Sequence, residues 1–519
     1  MRKVNGVLLS LLIGIAAFST VVFAAGDTFV IGVYTDPITF DPARVHDAQS
    51  GVVTWNTYEG LLKYDFTDYS IKPSLAESWE IAQDSKSCTF HIRRGVIFHD
   101  GTPFNAEAVA YTFERFLDIG ASPAMFLSNI ERWEVKDEYT ITFSTDQPWA
   151  FWEDAFASNK GLRIPSPTYI REHITADDPR AEKWMNEHTC GTGPYKLVEW
   201  VRAQYVRCEK FDQYWGGWDD PRKFKEFIVK IVPEASMRLL MLKSGEVDYC
   251  KRIPARDVAD LKAHPDVDVI VKTGSAQMFI FFNCSKPPLN DPKLREAISY
   301  AVDYDSAVKL YPYSVVAQGI LPRAMPGHNP DVPVSKQDLE KAKQIMKEAG
   351  YKPGDLKLEQ VYISGTDYQE QVATLIKQNL AKIGIEVSLR AMPWSVYSPI
   401  RYSPETAPQM AFLYLEPFLA DPIGIIHEAF TPHSIGPSGF GSWYNETMGY
   451  LDELALRVAN RPARWEIYKM MQEITWPGHP VLYMWEMPFF YSYRTSVKGL
   501  VPDYHQHAIM VYSLWREES

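Results

Sequence analysis

The sequence has few cysteines and lacks the short motifs that carry metal, redox or nucleotide chemistry. Its five cysteines are scattered and form no Cys-x-x-Cys pair, so they indicate buried or bridged thiols more than a metal or redox site. There is no Gly-x-Ser-x-Gly, no His-Glu-x-x-His and no dinucleotide fingerprint. We therefore expect no cofactor, no metal and no enzyme, although a glycosidase would leave no local motif because its carboxylates lie apart in sequence.

Long hydrophobic runs are absent beyond the first 24 residues. Arg2 and Lys3 precede an apolar stretch from Val7 to Phe18, and Val22-Phe23-Ala24 supplies the small residues of a cleavage site. The apolar stretch is shorter than the roughly 20 residues that a membrane span needs. No cysteine follows the cleavage point for lipid attachment. These features predict a cleavable export signal and a periplasmic protein that is not a lipoprotein.

Basic charge is in deficit as well. The formal net charge is -12 for 519 residues, and removing the signal, with its two basic residues, makes it -14. This balance argues against nucleic acid or an anionic membrane surface as a partner. The remaining chain is too long for one core, because single cores stop growing at roughly 250–300 residues. Two or three lobes are expected, and aromatic residues are abundant enough to line a cleft as well as a core.

The clearest structural pattern is a strand–helix–strand unit. Leu356 to Ile363 reads as a strand, Thr366 and Gln369 have the spacing of a capping box, and Ile385 to Leu389 alternates as the next strand. The connecting helix has an apolar stripe made of Val372, Leu375, Ile376, Leu380 and Ile383. Such a crossover builds parallel sheet, so the predicted fold class is α/β.

Other segments predict further local structure. Asn105 should cap a helix that begins at Ala106, and a helix over Asp338 to Ala349 should end at Gly350. The sequence His99-Asp100-Gly101-Thr102 is typical of a turn. Asp248, after Gly245, is expected in a turn or cap.

Several phrases, in this order along the chain, resemble the family 5 solute-binding proteins, the peptide- and nickel-binding receptors of ABC importers. They are Phe40-Asp41-Pro42, Tyr58-Glu59-Gly60-Leu61, Pro73 to Trp79, Arg93 to Pro103, Gly191-Thr192-Gly193-Pro194-Tyr195, Tyr214-Trp215-Gly216-Gly217, Ser244-Gly245-Glu246-Val247-Asp248 and Arg295 to Asp303. The resemblance covers nearly the whole chain after the signal.

The resemblance implies a periplasmic-binding-protein-like α/β fold of the cluster C type. Two lobes with mixed sheets would be joined by a hinge, with an extra domain inserted in the first lobe. The implied boundaries are residues 25–70, 187–273 and 490–519 for lobe I, 71–186 for the inserted domain and 274–489 for lobe II. Lobe closure would capture a small solute, and the closed monomer would dock on the permease subunits of an ABC importer.

The candidate ligand wall is the segment from Phe412 to Pro422, which includes Tyr414. In the family's peptide receptors, an aspartate four residues before the proline pairs with the peptide amino terminus, and Phe418 stands at that position here. A buried ammonium without a partner is costly. Peptide binding is the favoured hypothesis. It therefore requires Glu416 or Asp421 to replace that carboxylate.

Three more residues are candidates for the ligand site. His46 falls in a loop that the family turns toward the cleft, and Trp394 and Trp443 offer stacking faces, although surface or core positions fit these residues equally well. A ring-lined pocket also suits a sugar or oligosaccharide, an opine or a metal chelate. His505 and His507, with scattered His427, His433 and His479, are weak evidence for a bound metal. A secreted hydrolase and a ligand-presenting partner of a chemoreceptor remain as other classes.

Overall fold

The structure is a computed structural model. It describes residues 26–121, 123–124, 127–158, 161–417, 419–431, 443–503 and 509–517. The predicted export signal lies outside these ranges. No helix in the described ranges combines the length and the hydropathy needed to cross a membrane.

The chain alternates strands and helices throughout. The strands are β1 (Thr28–Val33), β2 (Leu62–Tyr64), β3 (Ile71–Pro73), β4 (Ala76–Ile81), β5 (Ser87–Ile92), β6 (Arg132–Asp137), β7 (Thr140–Ser144), β8 (Tyr195–Val201), β9 (Tyr205–Lys210), β10 (Glu226–Ile231), β11 (Tyr249–Cys250), β12 (Val267–Phe282), β13 (Val315–Val316), β14 (Leu356–Ile363), β15 (Ile385–Met392), β16 (Met410–Leu415), β17 (Val481–Arg494), β18 (Val497–Lys498) and β19 (Trp515–Arg516). The helices are α1 (Ala48–Thr57), α2 (Ala106–Ile119), α3 (Trp152–Ala157), α4 (Pro167–Glu172), α5 (Glu182–Met185), α6 (Ala235–Ser244), α7 (Val258–Lys262), α8 (Pro292–Ala301), α9 (Tyr304–Lys309), α10 (Leu339–Glu348), α11 (Asp367–Ala381), α12 (Trp394–Ile400), α13 (Ile423–Ala429), α14 (Glu446–Ala455) and α15 (Arg461–Gly478).

One mixed sheet runs through both lobes. Its strand order is β15-β14-β16-β12-β17-β11-β1-β10-β9-β8, with β13 paired beside β17. The central strands β12 and β17 contain 16 and 14 residues, longer than the usual 3–10, and pair antiparallel along most of their length. They carry the second-lobe strands at one end and pair with β11 of the first lobe at the other. The α/β class and the two-lobed architecture are thereby confirmed.

The pairing of β12 with β17 is irregular near the middle. The register shifts between Thr273 and Gln277 and again between Met278 and Phe279. Gly274 lies against the ring of Phe489, and a Cβ at this glycine would come within 2.3 Å of that ring. Such irregularities bend a strand and increase its twist. The expected lobe boundary at 273/274 falls in this stretch, and it stays a prediction.

The second-lobe sheet is covered on both faces, because its central strand alternates its side chains. Met278 and Ile280 of β12 belong to one buried cluster with α8, α10 and α11, whereas Phe279 and Phe281 belong to the opposite one with α13, α14 and α15. A sheet with apolar residues on both faces must be sandwiched between helices. The lobe therefore has three layers.

The predicted strand–helix–strand unit is present. β14 and β15 pair in parallel over eight residues, α11 connects them, and its stripe residues Val372, Ile376 and Leu380 are buried. The predicted capping box is wrong, because the Thr366 side chain makes no capping hydrogen bond. Gln369 Oε1 instead accepts from the N–H of Ile363 at 2.8 Å, which ties the helix start to the end of β14.

The inserted domain is built on a four-stranded antiparallel sheet of order β4-β5-β7-β6, against which α2 packs. Asn105 Oδ1 accepts from the N–H of Ala108 at 3.1 Å, so the predicted cap is confirmed. The predicted turn is confirmed as well. Thr102 donates its N–H and its hydroxyl to Asp100 Oδ1, and Gly101 has φ +83°.

The sequence phrases of the family resemblance pack against one another as structural elements. The Glu59 carboxylate accepts from Thr192 Oγ1 at 2.9 Å, Tyr214 OH at 3.0 Å and Trp215 Nε1 at 2.8 Å. Gly191 is required by close packing, since a Cβ there would lie 2.2 Å from the carbonyl oxygen of Thr57. Three donors around one partly buried carboxylate thus join segments of the first lobe that lie far apart in the sequence.

Asp248 lies in a bend between α6 and β11, and its side chain has a role that the turn prediction did not include. Its Oδ2 accepts from the N–H of Val30 at 2.9 Å and from Arg516 Nη2 at 3.0 Å. The buried carboxylate therefore joins β1 to the end of the described chain. This long-range role has no signal in the local sequence.

Candidate functional site

The carboxyl ends of strands from both lobes point toward the same stretch of β12 and β17. In the second lobe β14, β15 and β16 run parallel, and Leu415 at the end of β16 pairs with Gln277 in the middle of β12. In the first lobe β1 and β11 run parallel, and Cys250 at the end of β11 pairs with Ser492 of β17. Ligands of open α/β sheets bind at such strand ends.

One cation of the first lobe lies close to phenols of the second. The Arg252 guanidinium lies over the Tyr34 ring, with Cζ 5.4 Å from the centroid. Burial raises the pKa values of Tyr311, Tyr368 and Tyr414, and the positive charge of Arg252 opposes the rise in each. An interaction of this kind requires proximity. Arg252 therefore lies within electrostatic range of the three second-lobe tyrosines, and Tyr34 within range of Tyr414.

The tyrosines of the second lobe form an aromatic wall. The Tyr311 and Tyr368 rings lie 4.9 Å apart, and Tyr311 stacks at 21° on the buried Trp485 with centroids 6.0 Å apart. Burial raises the pKa of Tyr311 to about 12. These phenols are therefore neutral at physiological pH and available as hydrogen-bond donors.

Tyr414 and Glu416 place a phenol and a carboxylate at the same edge. Tyr414 is the exposed residue of the otherwise buried strand β16, with 48% of its surface accessible. Although half of its surface is accessible, desolvation by its neighbours is the main cause of its raised pKa, the Glu416 carboxylate adds to the rise, and Arg252 opposes it. One ring thus lies within reach of opposite charges from the two lobes. We call this set the cleft cluster: Tyr34, Arg252, Tyr311, Tyr368, Tyr414 and Glu416.

Trp394 lies at the same edge of the sheet but two strands away. It follows β15 directly and begins α12, with 48% of its surface exposed. Its ring contacts Tyr397 at 5.8 Å and lies 5.4 Å from Arg401 Cζ. β14 separates it from β16. The structure therefore places Trp394 beside the cleft cluster and not within it.

His46 lines a different cavity, of about 560 Å³, on the first lobe. Its Nδ1 lies 3.1 Å from the carbonyl oxygen of Arg44. The arginines of this cavity are already paired, Arg44 with Glu182 and Arg202 with Glu187. The cavity therefore offers no unpaired arginine to a ligand, and the structure does not bring His46 to the cleft cluster.

Asp421 is fully buried and engaged by its own chain. It accepts from Arg464 Nη2 at 2.7 Å and from Tyr468 OH at 2.6 Å, and it also accepts from the N–H of Ile423 at 3.0 Å. These donors occupy both carboxylate oxygens. Asp421 is therefore a structural carboxylate and not a replacement for the family's aspartate. Phe418, at that aspartate's position, lies outside the described residues.

Trp443 lies at the opposite end of β12. Its indole packs on Gly478, where a Cβ would come within 2.6 Å of the ring. It lines a cavity of about 690 Å³ with Cys284 and Arg295. Cys284 follows the end of β12, whereas Glu416 lies level with the middle of that strand. The structure therefore separates Trp443 from the cleft cluster.

The structure bears on whether the cysteines are bridged and whether the histidines bind a metal. All five cysteines are free thiols, and four of them are buried. His427 Nδ1 lies 2.8 Å from Asp452 Oδ2, and burial lowers the pKa of His479 to about 4. Among the described residues no three His, Cys, Asp or Glu side chains come together as a metal site would require. His433, His505 and His507 lie outside those residues.

Comparison with known proteins identifies the family. Residues 70–433 match the family model described as "Bacterial extracellular solute-binding proteins, family 5 Middle". The chain belongs to this family. The resemblance drawn from the sequence phrases is therefore confirmed, and this family 5 protein is a solute-binding component of an ABC importer by membership.

Relatives match the family 5 chain over almost its whole length. A probable D,D-dipeptide-binding periplasmic protein, DdpA, of Escherichia coli (strain K12) is 30% identical over 482 residues, covering 92% of this chain and 91% of the relative. The structure of DppA from Helicobacter pylori in complex with the peptide STSA aligns with a TM-score of 0.77 at 26% identity, covering 95% of this chain and 98% of that one. HbpA2 from Haemophilus parasuis has a TM-score of 0.85 at 24% identity, covering 95% and 100%, and supports the fold alone.

Four members of the cleft cluster were missed at the level of sequence. Tyr34, Arg252, Tyr311 and Tyr368 come from separate segments and share no motif. Tyr368 follows the predicted strand Leu356 to Ile363 and lies at the predicted helix start. The rule that ligands bind at the carboxyl ends of strands would have indicated this residue, because its strand was recognised.

Proposed function

We propose that this family 5 protein captures a peptide or peptide-like solute between its lobes and delivers it to the permease of an ABC importer. The observation that supports the proposal is the cleft cluster, in which Tyr414 of β16 lies within electrostatic range of Glu416 and of Arg252, whose guanidinium lies over the Tyr34 ring. An acid, a base and several phenols suit a ligand with charged ends and amide groups. Such a site needs no reacting group.

Glu416 takes the role of amine partner in this proposal. The ammonium group of a peptide requires a carboxylate when it is buried, and Glu416 lies at the cleft edge whereas Asp421 is engaged by Arg464 and Tyr468. The Tyr414 ring would pack against the first residue of the ligand. A ligand longer than a dipeptide would reach Trp394, which lies beside the cleft cluster.

The relatives support a peptide more than the other ligand classes. DdpA is named as a probable D,D-dipeptide-binding protein, and the Helicobacter pylori protein holds the peptide STSA. Both are called periplasmic, which fits the export signal expected from the sequence. Closure of two rigid lobes about the irregular middle of β12 and β17 would stabilise the bound state through contacts made only when the cleft is shut.

Calorimetry on the purified protein tests the proposal. The probes are D-alanyl-D-alanine, L-alanyl-L-phenylalanine and glycyl-L-leucine, with maltose and nickel–histidine as the matched non-peptide probes. We expect at least one dipeptide to bind and neither control to do so. Small-angle scattering with that dipeptide should show a smaller radius of gyration. Binding of maltose or nickel–histidine alone, or hydrolysis of a bound dipeptide, would contradict the proposal.

A further inference from the structure

A second cavity lies in the second lobe, at the far end of β12 from the cleft cluster. Its volume is about 690 Å³, and its wall includes Cys284, which follows β12, and Gly478, the last residue of α15. Glu416 of the cleft cluster follows Leu415, which pairs with the middle of β12 at Gln277. We call this space the distal cavity. It is separate from the proposed peptide site.

The wall of the distal cavity contains a buried cation. Arg295 of α8 lines the cavity and is only 4% exposed. Its Nε and Nη2 both donate to the carbonyl oxygen of Gly478, at 3.2 and 2.8 Å, Nε also donates to that of His479 at 3.1 Å, and Nη1 donates to that of Leu289 at 2.8 Å. Because each terminal nitrogen of an arginine carries two hydrogens, one hydrogen on each remains beyond these bonds within the described chain.

No carboxylate of the described chain pairs with Arg295. Its partners are main-chain carbonyls, whereas the buried Arg115 and Arg464 are paired with Asp41 and Asp421. A buried charge is costly without an opposite charge. Arginine also binds a carboxylate through two parallel N–H bonds. An anion in the distal cavity would therefore meet both a positive charge and hydrogen-bond donors.

An aromatic face lies directly beside this cation. The Trp443 indole packs on Gly478 so closely that a Cβ there would come within 2.6 Å of the ring. Gly478 is also the residue whose carbonyl oxygen accepts from Arg295 at 2.8 Å, so the ring and the guanidinium meet at one residue. Tyr444, 64% exposed, adds a second ring to the cavity wall. The distal cavity thus combines a stacking surface with a positive charge.

We propose that the distal cavity is a second ligand site, and that it binds a planar aromatic carboxylate. The ring of the ligand would stack on Trp443, and its carboxylate would accept from the terminal nitrogens of Arg295. All the residues that line the cavity fall between 284 and 478, in the second lobe. Binding here would therefore require neither lobe closure nor the cleft cluster.

Calorimetry with indole-3-acetate, phenylacetate and 4-hydroxybenzoate tests the proposal on the purified protein. The matched probes are the three corresponding amides, which lack the charge, and acetate, which lacks the ring. We expect at least one aromatic acid to bind about tenfold or more tightly than its amide and than acetate. Failure of all three acids to bind, or equal binding of each acid and its amide, overturns this proposal and leaves the peptide proposal standing.

The Cys284 thiol reports where the acid binds. The other four cysteines are buried, whereas Cys284 is partly exposed and lines the distal cavity. A bound acid should slow the alkylation of Cys284 by N-ethylmaleimide severalfold in the native protein, as measured by mass spectrometry of the labelled peptide. The amide at the same concentration should not. Unchanged alkylation at a saturating concentration of the acid places it elsewhere and overturns the proposal.

Two variants test the charge of the site. Asn290→Glu adds a negative charge at an exposed residue of the cavity wall and should weaken binding of the acid about threefold or more. The matched control is Asn129→Glu, at an exposed asparagine of the inserted domain, which should leave the affinity unchanged. Arg295→Lys keeps the charge but loses the planar fork, so it should weaken binding of the acid and not of the amide.

Circular dichroism and thermal unfolding check that each variant folds. Because Arg295 also supports the chain at Gly478, the comparison of Asn290→Glu with Asn129→Glu decides the outcome if Arg295→Lys does not fold. Equal affinities of wild type and Asn290→Glu for the acid overturn the proposal.

Discussion

Lys251, next to Arg252, shows how one residue at the cleft makes stability depend on pH. It is buried, its Nζ lies 3.5 Å from the carbonyl oxygen of Ala48, and burial lowers its pKa to about 7. The unfolded chain keeps an ordinary lysine pKa near 10.5. Below about pH 7 both states are protonated, so the folded state bears the full cost of the buried charge. Above about pH 10.5 both are neutral and the cost is gone.

We therefore expect Lys251→Met to stabilise the protein most at low pH. Each unit of pKa shift corresponds to about 1.4 kcal/mol, so the gain in the free energy of unfolding should be up to about 5 kcal/mol at pH 6 and less than about 1 kcal/mol at pH 10. Urea unfolding between pH 6 and 10 measures it. Lys262→Met, at an exposed position of α7, is the control. A gain that grows with pH would refute the assignment.

Glu416→Gln tests the amine partner. A hydrogen bond to a charged group is worth about 1.5–3 kcal/mol, so the affinity for a free-amine dipeptide should fall roughly ten- to a hundredfold. The N-acetylated dipeptide, which has no ammonium group, should bind both forms equally. Calorimetry measures both. The control is Glu405→Gln, an exposed glutamate. If the affinities for the free-amine and the N-acetylated dipeptide fell by the same factor, Glu416 would act by maintaining the structure of the site and not by binding the ammonium group.

At the scale of elements, the first residues of α2 and α11 show which features the sequence predicts and which depend on the fold. Asn105 and Thr366 are both good capping residues with suitable spacing. Asn105 caps α2, whereas the Thr366 side chain makes no capping bond to α11 and Gln369 accepts from the N–H of Ile363. The helices were predictable from their apolar stripes, since periodicity is local. The partner of a polar side chain at a strand end depends on the neighbouring strand.

Substitution of Asn105 and of Thr366 by alanine should have different effects on stability. Asn105→Ala removes a side-chain acceptor from the Ala108 N–H and should lower the free energy of unfolding by about 1 kcal/mol. Thr366→Ala removes no capping bond and should change it by less than about 0.5 kcal/mol. Chemical denaturation of both variants measures the difference. Equal losses would show that Thr366 caps α11 in solution.

The candidate site was predicted in part. Tyr414 and Glu416 fall in the segment from Phe412 to Pro422 that the family resemblance indicated, and Trp394 lies near by. Asp421 looked equivalent to Glu416 in sequence, but the arginine that binds it is 43 residues away. Arg252 gave no signal because its role depends on two lobes meeting. The local sequence pattern therefore predicts helices and strands. Contacts between distant segments decide which polar side chains are engaged within the protein, as Asp421 is by Arg464.

At the scale of the whole molecule, a buried ionic network joins the inserted domain to the second lobe. Arg464 of α15 pairs with Asp421 at 2.7 Å and lies 3.6 Å from Asp154 of α3 in the inserted domain. Arg461 lies 3.5 Å from the same Asp154, and Arg464 Cζ lies 4.7 Å over the Phe151 ring. The backbone N–H of Ala150 also donates to the carbonyl of Leu456 at 3.0 Å. The insertion also pairs with the first lobe, through Arg115 and Asp41 at 2.6 Å, and therefore contacts both lobes.

Arg464→Met tests how strongly this network holds the insertion in place. The change leaves the buried carboxylates of Asp421 and Asp154 with fewer donors, which costs about 3–5 kcal/mol when one partner of a buried pair is removed. We expect a correspondingly lower free energy of unfolding and faster proteolysis around α3. The double variant Arg464→Met/Asp421→Asn should recover part of the loss, because one stranded charge is gone.

The matched control for Arg464→Met is Lys183→Met, which breaks the exposed pair with Asp177 at 2.6 Å. Exposed pairs contribute about 0–1 kcal/mol, since water screens them. If Arg464→Met cost no more than Lys183→Met, the network would not hold the insertion against the second lobe. A large loss without partial recovery in the double variant would locate the cost in the packing of Arg464 on Phe151, because removing the stranded charge would then make no difference.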